Sequence, residues 1–151
     1  VGSTPGQEFM AQQGLPTEIR PGNSVFYDRM QVRNGRNLDD CALSVLATVV
    51  SVRSDGRVLI DAGTKTLAGD RMPDGSYGEI IGQSGLQFVG ASEEHGHLQA
   101  DGGNPDLRVG DRVQVVPNHA CTCVNLHETM YIVRGESVLE AWRIIGRGKI
   151  Q

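Results

Sequence analysis

The segment Pro117-Asn118-His119-Ala120-Cys121-Thr122-Cys123 places three potential metal donors within a few residues. An imidazole nitrogen and a thiolate both suit a borderline-soft cation such as zinc. In an extended chain successive side chains alternate faces, so His119 and Cys121 are predicted to point the same way, with Cys123 able to add a third sulfur. No second Cys/His pair with finger-like spacing completes a four-ligand structural site. Two protein ligands with open positions for water or substrate is the site this pair would make. The competing reading is packing: Cys121 and Cys123 as small buried hydrophobes, with His119 capping the end of a strand. Spacing alone favours packing, most of all for Cys123.

Two other stretches carry chemistry-bearing residues. In Glu93-Glu94-His95-Gly96-His97, carboxylates and imidazoles adjoin. Glu94 and His95 could hold a metal, move a proton or orient a ligating histidine from behind, and a solvated turn explains them equally well. Gly2-Ser3-Thr4-Pro5 leads into a short predicted helix over Gln7–Gln13, with Thr4 as N-cap, Pro5 at the first helical position and Gly14 as the stop. Unpaired N–H groups at such a start attract anions, although an ordinary cap accounts for the same residues. Only Lys65 and Lys149 offer an amine for Schiff-base chemistry, and neither lies in the apolar surroundings that would depress its pKa.

The elements that must position these residues read as short strands. Candidates are Ser24–Tyr27, Leu43–Val52, Arg57–Asp61, Gly78–Ile81, Leu86–Ala91, Arg112–Val116, Met130–Arg134 and Ser137–Ile145. Turn clusters separate them, among them Ser54-Asp55-Gly56, Pro73-Asp74-Gly75 and Asp101-Gly102-Gly103-Asn104-Pro105. This spacing, with almost no helix, predicts an all-β domain: a mostly antiparallel β-barrel or sandwich with a short N-terminal helix. A chain of 151 residues supports one core, and 38% hydrophobic with 21% charged residues is globular composition. A net charge of −4 without a basic patch excludes a nucleic-acid footprint. The longest apolar run, Leu43–Val50, is interrupted by Ser44 and Thr48, far short of a membrane span. Three cysteines without a disulfide pattern predict a reducing, cytoplasmic compartment. The chain begins at Val1 without a signal-peptide pattern, so a processed end or the start of a fragment is expected there.

Several stretches then fall into one order. Gly2-Ser3-Thr4-Pro5, Thr17-Glu18-Ile19-Arg20-Pro21-Gly22, Val25-Phe26-Tyr27-Asp28, Asp61-Ala62-Gly63-Thr64-Lys65, Glu94-His95-Gly96, Pro117-Asn118-His119-Ala120-Cys121 and Arg147-Gly148 span essentially the whole chain. Together they resemble the C-terminal β domain of the D-serine dehydratase / D-threonine aldolase family, pyridoxal-phosphate (PLP) enzymes of the alanine-racemase type, fold type III. The resemblance implies an N-terminal (β/α)8 barrel carrying PLP on a barrel lysine, a homodimer, and a small D-amino acid substrate. Residues 1–20 would be a remnant of the barrel-side phosphate loop and short helix, and residues 21–151 the β domain. Gly2, Ser3 and Thr4 match the loop that holds the cofactor phosphate, although Gly6 stands where relatives tend to carry threonine. His119 and Cys121 match the pair that binds zinc or manganese, which reverses the preference for packing. Glu94, His95 and Cys123 are candidates for a second layer behind them.

Lys65 matches a β-domain position, so no catalytic residue is expected in this chain. The whole enzyme is implied to be a lyase that removes the β-hydroxyl or cleaves Cα–Cβ, with PLP as electron sink and the metal as Lewis acid. The thiolate is closer to the zinc-using dehydratase branch than to the manganese-using aldolase branch. Without the barrel the chain is expected to be inactive and to expose apolar surface where domains met. The alternative is a stand-alone, non-catalytic β module.

Overall fold

The computed structural model describes residues 1–103 and 105–149; Asn104, in one expected turn cluster, and the last two residues lie outside them. Six strands form one sheet: β1 (Val45–Val52), β2 (Arg57–Ile60), β3 (Gly78–Ile80), β4 (Leu86–Ala91), β5 (Gly96–Ala100) and β6 (Arg112–Pro117). Their spatial order is β3-β6-β1-β2-β5-β4, and every neighbouring pair is antiparallel. The two edge strands, β3 and β4, approach each other, so the sheet curls into a nearly closed barrel. Bulges between Val49 and Ser51 and between Phe88 and Gly90 add the bend this closure needs.

Alternation explains the core. Ala47 and Val49, Val58 and Ile60, Leu86 and Phe88, Leu98 and Ala100, and Val113 and Val115 each sit two apart and point inward. Their neighbours Leu46, Val50 and Val89 face outward. At the end of β6 the alternation stops, and Val115, Val116, Pro117 and Asn118 are all buried, because other elements cover that end on both sides.

Among the described residues there are four short α-helices, α1 (Gln7–Gln13), α2 (Arg29–Arg33), α3 (Thr64–Leu67) and α4 (Ala120–Leu126), and α2 reaches this end of β6 through bonds to Asn118. A hairpin of β7 (Thr129–Arg134) and β8 (Ser137–Arg143) forms a separate two-stranded sheet. It buries none of its residues and leaves Tyr131, Val133, Val138, Leu139 and Trp142 exposed.

The mostly antiparallel barrel is as expected, and several elements differ. Ser24–Tyr27 is not a strand: Asn23–Val25 is a single 3-10 turn, and Tyr27 is left-handed with φ 52. The Asn23 N–H donates to the Thr4 hydroxyl at 3.0 Å, so this segment is tied to the N-terminal loop rather than to a ladder. Thr4 therefore does not cap α1. The N-cap is Gly6, without a side-chain bond, while Gly14 ends the helix in the left-handed conformation as expected. Strand β5 occupies part of the stretch read as a Glu/His cluster, where Gly96, Leu98 and Ala100 supply an inward alternation. Finally, the run through Cys123 is not extended, since α4 begins at Ala120.

Candidate metal centre

The start of α4 is held from two directions. The first is the loop before α2, where Asp28 is fully buried and its carboxylate collects three donors. Oδ2 accepts the Asn23 side-chain amide at 2.6 Å and the Ala120 backbone N–H at 2.8 Å, and Oδ1 accepts the Gln31 N–H at 3.1 Å. One aspartate thus caps α2 and satisfies an N–H that α4 cannot satisfy itself. Ala120 lies between His119 and Cys121, so this bond fixes the backbone of the donor pair. It is also why the segment turns helical instead of continuing β6.

Asn118, likewise fully buried, anchors the residue before. Its side-chain amide donates to the carbonyls of Asp70 and Ser76 at 2.9 and 2.7 Å, and its oxygen accepts from Arg29 at 3.1 Å. Arg29 also pairs with Glu79 at 3.0 Å, tying α2 to the edge strand β3.

The second direction is the loop after α3. Asp70 Oδ2 accepts the Thr122 hydroxyl at 2.5 Å, and Oδ1 lies 3.5 Å from His119 Nδ1. Tyr27 and Ala68 are the two non-glycine residues with positive φ among the described residues, and they precede Asp28 and Asp70 by one and two positions. Ala68, at φ 69 and ψ 176, occupies a region that is almost glycine's alone and costs about 1–3 kcal/mol. Such strain persists only where surrounding contacts over-determine it, and both loops end on the His119 segment.

The three donors of the motif do not share a face. On a helix of 3.6 residues per turn, Cys121 and Cys123 lie on nearly opposite sides. Cys121 is exposed, Cys123 is buried, and His119 at the N-cap is partly exposed. Cys123 packs against α3, its thiol donating to the Thr66 carbonyl at 3.3 Å, beside His127 Nε2 at 2.9 Å from the same oxygen. Burial pushes the Cys123 thiol up to about 12, which keeps it protonated. His119 and Cys121 reach solvent, which argues against buried packing for the pair. Among the described residues, no three His, Cys, Asp or Glu side chains gather closely enough to enclose a metal on their own. The donor set fits an open site with two protein ligands.

This exposure pattern gives a direct check. A thiol reagent near pH 8 is expected to modify Cys121 rapidly, and Cys123 only on unfolding. Cys41, which burial and nearby Asp28 raise to about 11, should also be slow. Cys121→Ser should remove the fast phase; a fast phase surviving in that variant would contradict the arrangement.

Glu94 and His95 lie in the exposed turn before β5. Glu94 pairs with Lys65 at 2.5 Å, and this bond holds its carboxyl below the usual range. The carbonyls of Ser92 and Glu93 accept the first N–H groups of α3, from Thr64 at 2.9 Å and Lys65 at 3.0 Å. The turn thereby seats α3, which packs on α4 and leads to Asp70. No hydrogen bond or ion pair joins Glu94 or His95 to His119 among the described residues. Gly2 and Ser3 are exposed near the strand-like pairing of Val1 with Glu18 and Arg20, while the buried Thr4 hydroxyl is engaged by Asn23. Asp28, Asp70 and Asn118 were not singled out from the sequence; Asp28 and Asn118 stand in stretches that carry the family resemblance, and Asp70 gave no signal of its own.

The described residues thus define a nearly closed antiparallel β-barrel domain with a His-x-Cys pair at the solvent-facing start of α4. Residues 42–133 match the model of the putative serine dehydratase domain, and the chain belongs to that family. It is 33% identical to a D-threonine aldolase of Arthrobacter sp., over 97% of this chain and 38% of the relative. It is 34% identical to an uncharacterized protein of Mycobacterium tuberculosis, over 81% of this chain and 96% of that protein. The fold matches a D-threonine aldolase from Filomicrobium marinum with a TM-score of 0.83 and 30% identity, over 99% of this chain and 41% of that one. It also matches a D-threo-3-hydroxyaspartate dehydratase from Delftia sp. with a TM-score of 0.74 and 30% identity, over 84% and 38%. Two further structures of that dehydratase replace by alanine a histidine and a cysteine two positions later, the cysteine variant in the metal-free form. The chain spans about two fifths of the length of the named enzymes it matches.

Proposed function

We propose that this chain is the metal-bearing β domain of a PLP- and divalent-metal-dependent lyase acting on β-hydroxy-D-amino acids. The observation that carries this is the His119–Cys121 pair at the solvent-facing start of α4. Its residue types and spacing are those of the histidine and cysteine replaced in the dehydratase variants. A cation held there supplies Lewis-acid polarisation of a substrate hydroxyl. His119 contributes a nitrogen and Cys121 a sulfur, and that sulfur favours zinc and dehydration over manganese and aldol cleavage. Asp28 fixes the backbone between them, and both residues reach solvent at the start of α4.

The PLP and the lysine that holds it belong to a barrel outside this sequence, with Gly2 and Ser3 at its phosphate-side boundary. The exposed apolar residues of β7 and β8 give such a barrel a surface to pack against. The 151 residues alone are therefore inactive on D-serine, with or without added PLP.

Zinc stoichiometry tests the reading. The purified chain should bind about one zinc, and His119→Ala or Cys121→Ser should each abolish it. Full occupancy in both variants would remove the assigned ligands.

One observation favours a second reading, a stand-alone module: the mycobacterial relative is matched over nearly its whole length, without room for a barrel. A non-catalytic module would bind no stoichiometric metal, so the same measurement separates the two.

A further inference from the structure

We propose that Asp70 is the positioning residue for His119: its carboxylate faces Nδ1 of the imidazole at 3.5 Å and so leaves Nε2 to the metal. The proposal rests on His119 and Cys121 being the ligands. Asp70 is tied to the donor segment at three points. Its backbone carbonyl accepts from the buried Asn118, its Oδ2 accepts from Thr122, and its Oδ1 faces His119 Nδ1 at 3.5 Å. Asn118 and Thr122 lie on either side of the His119–Cys121 pair, so the loop registers Asp70 against the whole motif rather than against one residue.

The loop is also shaped for this task. After α3, Ala68 takes a conformation that alanine strongly disfavours, and two residues later Asp70 arrives beside His119. α3 is itself seated by the Ser92 and Glu93 carbonyls at one end and by Cys123 and His127 on the Thr66 carbonyl at the other. A carboxylate that only anchored the Thr122 side chain would need that contact and nothing more. The remaining oxygen faces an imidazole nitrogen at 3.5 Å, the side from which a carboxylate can set the tautomer and ring orientation of a metal-binding histidine. A neutral imidazole with its proton on Nδ1 offers an unprotonated Nε2 as ligand.

The test uses the full chain. In the metal-free protein, long-range 1H–15N spectra should show neutral His119 as the Nδ1–H tautomer, and in Asp70→Ala the population should move toward Nε2–H. Zinc affinity, measured by competition with a chromogenic chelator, should fall about 10–100-fold in Asp70→Ala. Asp70→Glu should recover part of it. If Asp70→Ala fails to fold, Asp70→Leu, close in shape and without an acceptor, gives the same readouts. Unchanged tautomer and unchanged affinity in a folded variant overturn the proposal while leaving His119 and Cys121 as ligands. Absence of zinc from the unsubstituted chain overturns the ligand assignment itself and this inference with it.

Discussion

Asp28→Ala is expected to destabilise the domain by about 4 kcal/mol, a large share of the roughly 5–15 kcal/mol typical of a native domain. Its carboxylate is fully buried and accepts from Asn23, Gln31 and Ala120. Alanine leaves these donors without their acceptor, at about 1–3 kcal/mol for each buried group. The cap on α2 and the acceptor for the first N–H of α4 are lost together. For a domain of this size the midpoint of thermal unfolding should drop by roughly 10 °C. Asp28→Asn keeps the volume and one oxygen, and its cost should fall near half of that. Because Ala120 lies between His119 and Cys121, both variants should weaken zinc binding as well. Chemical denaturation checks the first point; an Asp28→Ala midpoint within experimental error of the parent would mean that the carboxylate does not hold α4.

Gly63→Ala is the second large effect, expected at about 3 kcal/mol. A Cβ there would lie 2.3 Å from the Ser92 carbonyl oxygen and 2.5 Å from that of Glu93, both backbone atoms that cannot rotate away. Relief requires the turn before β5 to retreat from α3, breaking the bonds that Thr64 and Lys65 donate to it. Overpacking of about 1–3 kcal/mol adds to two lost hydrogen bonds of about 1 kcal/mol each. The loop that delivers Asp70 follows α3, so the loss should reach the His119–Cys121 segment. Gly22 is the control: nothing lies within 4 Å of its Cβ position and its φ is −76, so Gly22→Ala should be neutral or slightly stabilising. Equal thermal midpoints for the two alanine variants would show that the close approach at Gly63 is not what fixes the turn.

The barrel's strands were legible because strand alternation is local. The β-branched runs of β1 and β6, and Leu86 and Phe88 in β4, show their inward faces within a few residues. Strand β5 has the same pattern in Gly96, Leu98 and Ala100, but the charged side chains just before it mask a turn whose backbone carbonyls are what the fold uses. The left-handed Tyr27 gave no advance sign, since nothing in a tyrosine favours positive φ, and the expected strand over Ser24–Tyr27 dissolves around it.

By itself the sequence determined the inward and outward faces of the strands, the antiparallel class, and the pairing of an imidazole with a thiol two positions on. Tertiary structure decided what becomes of that pair. The helix that separates Cys121 from Cys123 begins where a carboxylate 92 residues earlier in the chain meets the Ala120 N–H, and His119 meets Asp70 only because a strained loop brings it there. Periodicity along one strand is an energetic property of neighbours in the chain. Satisfying a buried polar group is a property of whatever the fold places beside it, and no local pattern encodes that partner.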